Sequence, residues 1–378
     1  MICHPGYTSS YPGTRDSMAH WDGTREEQAA PRSLLRRIRE SDIVVMWLIT
    51  AWIFTTMVVY LLPMLLFLPL ALIPGVGSPC YRHVTGIIDY YCRQICMCIP
   101  FSWCTMRCVM FGSDFFMRCK EGGNSVILAN HCSRIDWVGA VYVGMCGRSP
   151  TNWRIKGTSC PRVNFVAEVT TAVMPIVGWS RFLFGDILLQ RAFHKDAPRI
   201  LKNIATFKKA GIERCIFLAP EGTIVDPGMA DDEKYIENCK DFMRSYGKEP
   251  MKYLLSPRYK GMTTFVTHSP TNVAAATLAF VQGRFEIDAK TGAVSGGKLY
   301  TRQLDDSKRK IPDLHDIFTG DLTIFINFQP LVVSDDGDAV GADGQSLVAS
   351  HAPSPQLLAC LCAPPTLFPL VHRSIGPS

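Results

Sequence analysis

From Ile43 to Tyr81 the chain carries no charged residue, and the part from Ile43 to about Pro74 is almost wholly apolar. A helix needs about 20 such residues to cross a bilayer. The continuous stretch Ile43 to Leu62 meets that length, and a run so rich in Leu, Val, Ile and Phe argues against a buried core helix. Pro63, Pro69 and Pro74 are expected to break the second half, leaving Met64 to Ile73 as an interfacial or re-entrant segment. A weaker apolar region, Ile95 to Phe111, contains Pro100 and Arg107 and fits an amphipathic interfacial helix better than a second crossing. Arg36, Arg37 and Arg39 precede the run while Arg82 and Arg93 follow it, so charge asymmetry leaves its orientation open.

Around this segment the composition divides the chain into a polar and basic arm (1–42), a membrane-anchoring helical region (43–111), an α/β domain (112–333) and a low-complexity tail (334–378). A net charge of +6 suits anionic lipid or phosphate ligands, and no basic run interleaved with aromatics marks a nucleic-acid surface. The 15 cysteines are scattered and mostly in apolar context, so reduced thiols are expected. Cys92, Cys96, Cys98, Cys104 and Cys108 lack metal-ligand spacing; apolar packing or S-acylation beside a membrane fits them better than zinc.

In the 112–333 region, Ser125 to Ala129 reads as a buried strand, and Asn130-His131-Cys132-Ser133-Arg134-Ile135-Asp136-Trp137 then carries the chain into a helix. Across such a turn Asp136 can fold back onto Nδ1 of His131, fixing the tautomer and leaving Nε2 as a base. Asp186 to Arg191 looks like a strand closed by a cation. Asp196 to Gly211 is a helix, with Asp196 able to cap and Ile200, Ile204 and Phe207 on one face. It leads into the strand Cys215 to Ala219, which ends in Pro220-Glu221-Gly222-Thr223. The strand, helix, strand order argues for an α/β layer domain.

NHCSRID followed by PEGT, in this order and separation, resembles the NHx4D and EGT signatures of the PlsC-like glycerolipid acyltransferases. The resemblance covers roughly residues 43 to 330 and implies a mixed sheet flanked by helices behind an N-terminal membrane-embedded segment. It implies acyl transfer from acyl-CoA, as co-substrate with no cofactor or metal, to the free hydroxyl of a lysophospholipid in the endoplasmic reticulum membrane. The expected acceptor is 1-acyl-glycerol-3-phosphate, with lysocardiolipin or lysophosphatidylinositol as alternatives. His131 would be the general base and Asp136 its orienting carboxylate, while Glu221, Gly222 and Thr223 would bind the acceptor. Arg191 matches the second-block arginine and would face the phosphate, unless it is only a surface ion pair; Arg258 and Lys260 are further candidates for that anionic seat. Ile224 stands where many members have Arg, Glu168 stands near where relatives often carry Lys, and the apolar Val-Pro fourth block is not recognisable. Two rival readings are a lipid hydrolase with Ser133 or Cys132 as nucleophile, and a non-catalytic membrane lipid-binding protein.

Overall fold

The computed structural model describes residues 41–73, 77–98, 106–111, 124–146, 162–173, 177–226, 230–251, 254–268, 272–287, 294–300, 311–319, 322–333 and 339–340. In chain order these contain α1 (Asp42–Phe67), α2 (Gly77–Cys98), β1 (Arg107–Phe111), β2 (Ser125–Ala129), α3 (Asp136–Cys146), β3 (Arg162–Glu168), α4 (Val177–Phe184), β4 (Ile187–Leu189) and α5 (Phe193–Lys209). Then come β5 (Arg214–Leu218), α6 (Ala230–Ser245), α7 (Tyr259–His268), β6 (Asn272–Ile287), β7 (Val294–Leu299), α8 (Leu314–Thr319), β8 (Leu322–Val333) and β9 (Ala339–Val340).

The expected α/β architecture is present, a mixed sheet in the order β1-β8-β6-β2-β5-β3-β4, with β7 paired to β6 and β9 to β8. From β6 to β4 the strands run parallel, and β8 joins β6 antiparallel. Parallel strands between helical layers are buried on both faces, which explains the unbroken apolar runs of β2 and β5. Alternation splits each of them between two cores: Ile127, Ala129, Cys215 and Phe217 face one cluster, while Val126, Leu128, Ile216 and Leu218 face the other. The first cluster is closed by residues of α1, α3 and α8, the second by residues of α5 and α7.

α1 and the 3-10 turn after it form a 31-residue segment, Asp42–Leu72, of mean hydropathy 2.2, long and apolar enough to cross a membrane. Its helix passes through Pro63 instead of breaking there. A proline deprives the carbonyl four residues earlier of its usual N–H partner. Here that carbonyl is Val59, and it accepts a hydrogen bond at 3.1 Å from the Cys92 thiol of α2, so a neighbouring helix supplies the missing donor.

One stripe of α1 packs on the domain. Val45, Ile49 and Trp52 are buried with Ile135, Val138 and Phe318. Trp52 stacks on Trp137 of α3 at 6.0 Å and meets Phe318 edge-on at 5.5 Å. Elsewhere α1 leaves Met46, Trp47, Phe54, Leu62 and Leu66 exposed.

Of the stretch Ile95 to Phe111, expected as an interfacial helix, Ile95 to Cys98 are the end of α2 and Arg107–Phe111 is instead an edge strand parallel to β8, while residues 99–105 lie outside the described residues. A five-residue apolar run does not by itself distinguish the two, and here the pairing with β8 decides. The N-terminal arm and nearly all of the tail lie outside the described residues.

Trp52→Ala removes the stacked contact between the apolar helix and α3. It is expected to destabilise the detergent-solubilised protein by about 3 kcal/mol, read as a lowered melting temperature and faster proteolysis at α1. An unchanged melting temperature would contradict the docking.

Candidate active site

Strands β2 and β5 are parallel neighbours with Leu128 opposite Leu218. Both motifs therefore leave the sheet at its carboxyl edge and at the same height: His131 stands three residues beyond Leu128, and Glu221 three beyond Leu218. Asn130 fixes the exit of β2 by acting as a surrogate peptide. Its carbonyl accepts the Leu278 N–H at 2.6 Å and its amide donates to the Leu278 carbonyl at 3.3 Å.

Asp136, whose side chain is 3% exposed, opens α3 and turns its carboxylate back over the bend. One oxygen, Oδ2, accepts from His131 Nδ1 at 2.9 Å, from the Cys132 N–H at 2.8 Å and from the Ser133 N–H at 3.1 Å. A carboxylate at a helix start is also favoured by the helix dipole. The arrangement fixes the ring of His131, which is 29% exposed and lines a cavity of about 700 Å³, and turns its Nε2 away from Asp136. Burial, the largest single influence on the imidazole, lowers its pKa; the Asp136 hydrogen bond and the charges of Asp136 and Glu221 together outweigh it and hold the group above its ordinary value.

Ser133 and Cys132 face away from nucleophilic work. The Ser133 hydroxyl is fully buried, donates to the Pro312 carbonyl at 2.6 Å and accepts the Ile135 N–H at 3.0 Å. The Cys132 thiol reaches Asp136 Oδ1 at 3.5 Å and the Leu278 carbonyl at 3.6 Å.

The cavity has two characters. Val166, Leu189, Phe193, Leu218, Met262 and Phe265 form an apolar wall, while Arg191, Thr223, Arg258 and Lys260 line the same cavity as His131. Arg191 adopts φ +61°, the left-handed region that non-glycine residues avoid at a cost of about 1–2 kcal/mol. Asp196 holds this bend: the expected helix begins at Phe193, and the Asp196 carboxylate in its first turn accepts the N–H groups of Gln190 and Ala192, at 2.8 and 2.9 Å, on either side of Arg191. The guanidinium pairs with Glu168 at 2.8 Å and donates to the Gly222 carbonyl at 3.2 Å.

Gly222 has φ +71°, and an added Cβ would lie 2.9 Å from Cδ and Nε of Arg258. The glycine is therefore favoured by its backbone conformation, and any side chain there would displace the arginine stem laid across it. The Thr223 hydroxyl donates to the Ile224 carbonyl at 3.3 Å, and Ile224 lines the cavity with it.

Glu221 is placed differently from the other two residues of its triplet. It is 5% exposed and does not line the cavity; its oxygens accept main-chain N–H groups, from His131 at 2.8 Å and Leu255 at 3.1 Å. A further wall comes from α6, where Cys239 and Phe242 line the cavity and Ile236 and Met243 are buried. The sequence signal for this inner face is the apolar spacing Ile236, Cys239, Met243 among acidic and basic residues.

The site thus offers an oriented imidazole, a cluster of cations and an apolar wall in one cavity, which suits deprotonation of a hydroxyl on an amphiphile with an anionic group. Residues 116–281 match the family model described as Acyltransferase, and no solved structure matches the chain.

Gly222→Ala is expected to destabilise the protein by about 1–2 kcal/mol and to swing Arg258 off the cavity wall. A thermal melt together with the variant's structure checks this; an unchanged melt and an unmoved Arg258 would contradict it.

Proposed function

The chain carries an acyltransferase domain of the PlsC-type glycerolipid family, and from that premise we propose that it moves a fatty acyl group from acyl-CoA to the free hydroxyl of a lysophospholipid. The observation that carries this reading is the His131–Asp136 pair, bonded at 2.9 Å, opening into a cavity that also holds Arg191, Arg258 and Lys260.

In this mechanism His131 Nε2 takes the proton of the acceptor hydroxyl as its oxygen attacks the thioester carbonyl carbon. The tetrahedral adduct collapses with cleavage of the C–S bond, and the imidazolium returns the proton to the departing thiolate. The products are a new ester and free CoA thiol, and no acyl-enzyme forms. Asp136 orients the ring and stabilises the imidazolium between the two transfers. The occupied hydroxyl of Ser133 supports direct transfer over the hydrolase reading.

Arg191, Arg258 and Lys260 hold the acceptor's phosphate, with Thr223 beside it, while the apolar wall takes acyl chain. Arg258, lying across Gly222, brings a cation to the side of the cavity where Ile224 has none. We assign 1-acyl-glycerol-3-phosphate as the acceptor, with lysocardiolipin and lysophosphatidylinositol as the remodelling alternative. The apolar helix α1 anchors the enzyme, and we place it in the endoplasmic reticulum membrane, among its lipid substrates.

The test is acyl transfer by membranes containing the full chain, from long-chain acyl-CoA to lysophosphatidic acid, lysophosphatidylinositol, lysocardiolipin and lysophosphatidylcholine. Wild type is expected to transfer, and His131→Ala to lose roughly 100-fold or more. Arg191→Ala is expected to raise the acceptor KM about tenfold with a smaller change in kcat, as loss of one charge-assisted contact would. Because neutral imidazole is the base and its pKa is raised, kcat/KM is expected to fall as pH drops, through a midpoint above the ordinary value of about 6.5. No transfer to any acceptor by folded, membrane-bound protein would favour the lipid-binding reading.

A further inference from the structure

We propose that Glu221 is a positioning residue for His131, holding the base through its main chain and tying it to the segment that presents Arg258, and that it does not contact the acceptor. The inference rests on the acyl-transfer reading above. Its carboxylate is buried between two chain segments distant in sequence. One oxygen accepts the His131 N–H at 2.8 Å, and the other accepts the Leu255 N–H at 3.1 Å. Three residues past Leu255, the Arg258 N–H donates to the Pro220 carbonyl at 2.8 Å, so PEGT and the Leu255 to Arg258 segment are joined at both Pro220 and Glu221.

His131 is thereby gripped at two points, its ring by Asp136 and its backbone by Glu221. Carboxylate suits both contacts, because the two N–H donors meet different oxygens of the side chain. Glutamine presents one oxygen and one NH₂ group, and the NH₂ would meet a donor. The second carboxylate also adds negative charge close to the imidazole, in the same sense as Asp136 and opposite to the cavity cations Arg191, Arg258 and Lys260; Glu168 lies on the same cavity wall, paired to Arg191.

The experiment is a pH series of acyl transfer by membranes containing wild type, Glu221→Gln, Glu221→Asp or His131→Ala, each with varied acceptor. Glu221→Gln is expected to lower kcat roughly 10- to 100-fold, as misplacement of a base does, and to change the acceptor KM by less than about threefold. Its acid limb should move to lower pH, since removing a nearby negative charge makes the imidazolium easier to deprotonate. Glu221→Asp keeps the charge but shortens the reach, so kcat should fall while the acid limb stays nearer wild type. A tenfold rise in acceptor KM with kcat and the acid limb unchanged would overturn the proposal in favour of an acceptor contact. A fall in kcat with the acid limb of Glu221→Gln unmoved would reduce the residue to a structural role. If proteolysis shows Glu221→Gln unfolded, Glu221→Asp decides: lowered kcat at near-normal KM supports the proposal, and raised KM at normal kcat overturns it. Inactive wild type, or active His131→Ala, would instead sink the acyl-transfer reading itself.

Discussion

One carboxylate oxygen organises the mouth of this protein. Asp136 Oδ2 accepts two main-chain N–H groups of the bend that follows β2, and the His131 ring beside them. Each donor alone would contribute about 1.5–3 kcal/mol as a hydrogen bond to a charged group. Together they make the bend, the start of α3 and the tautomer of His131 a single object. If the carboxylate were lost, the N–H groups of Cys132 and Ser133 would be left without that acceptor, and the ring would lose its orientation.

The sheet brings a second set of groups to the same height. β2 and β5 are adjacent and parallel, so His131 and Glu221 emerge together, while β3 and β4 end nearby with Glu168 and Arg191. Side chains gather at the carboxyl edge of such a sheet because there the loops, freed from pairing, diverge. Below this edge the two apolar clusters make a rigid base, and on one of them α1 is docked through Trp52 against Trp137. The membrane-length helix is thus packed against the helix that begins with Asp136.

Much of this was legible in the chain. The apolar runs before His131 and Glu221, the polar breaks after them and the amphipathic α5 follow from local periodicity, and the spacing of His131 and Asp136 is enough to suggest their contact. What local reading missed depends on partners distant in sequence. Pro63 is tolerated because Cys92 donates to Val59, a bond across 33 positions. Arg107–Phe111 is a strand because β8, two hundred residues on, pairs with it. Asp196 was expected to cap its helix, but the helix begins three residues earlier, at Phe193, and the carboxylate serves the bend at Arg191. The direction of Glu221 was not legible at all, since its two partners lie 90 residues before it and 34 after it.

In the proposed mechanism His131 acts as a base whose affinity for the proton Asp136 raises against the opposing effect of burial. The most direct measurement is the pH dependence of acyl transfer by Asp136→Asn beside wild type, in membranes containing the full chain. Asp136→Asn is expected to be slower, with its acid limb moved to lower pH, because an amide neither stabilises the imidazolium nor fixes the tautomer as the carboxylate does. A variant that keeps the wild-type acid limb and rate would contradict it.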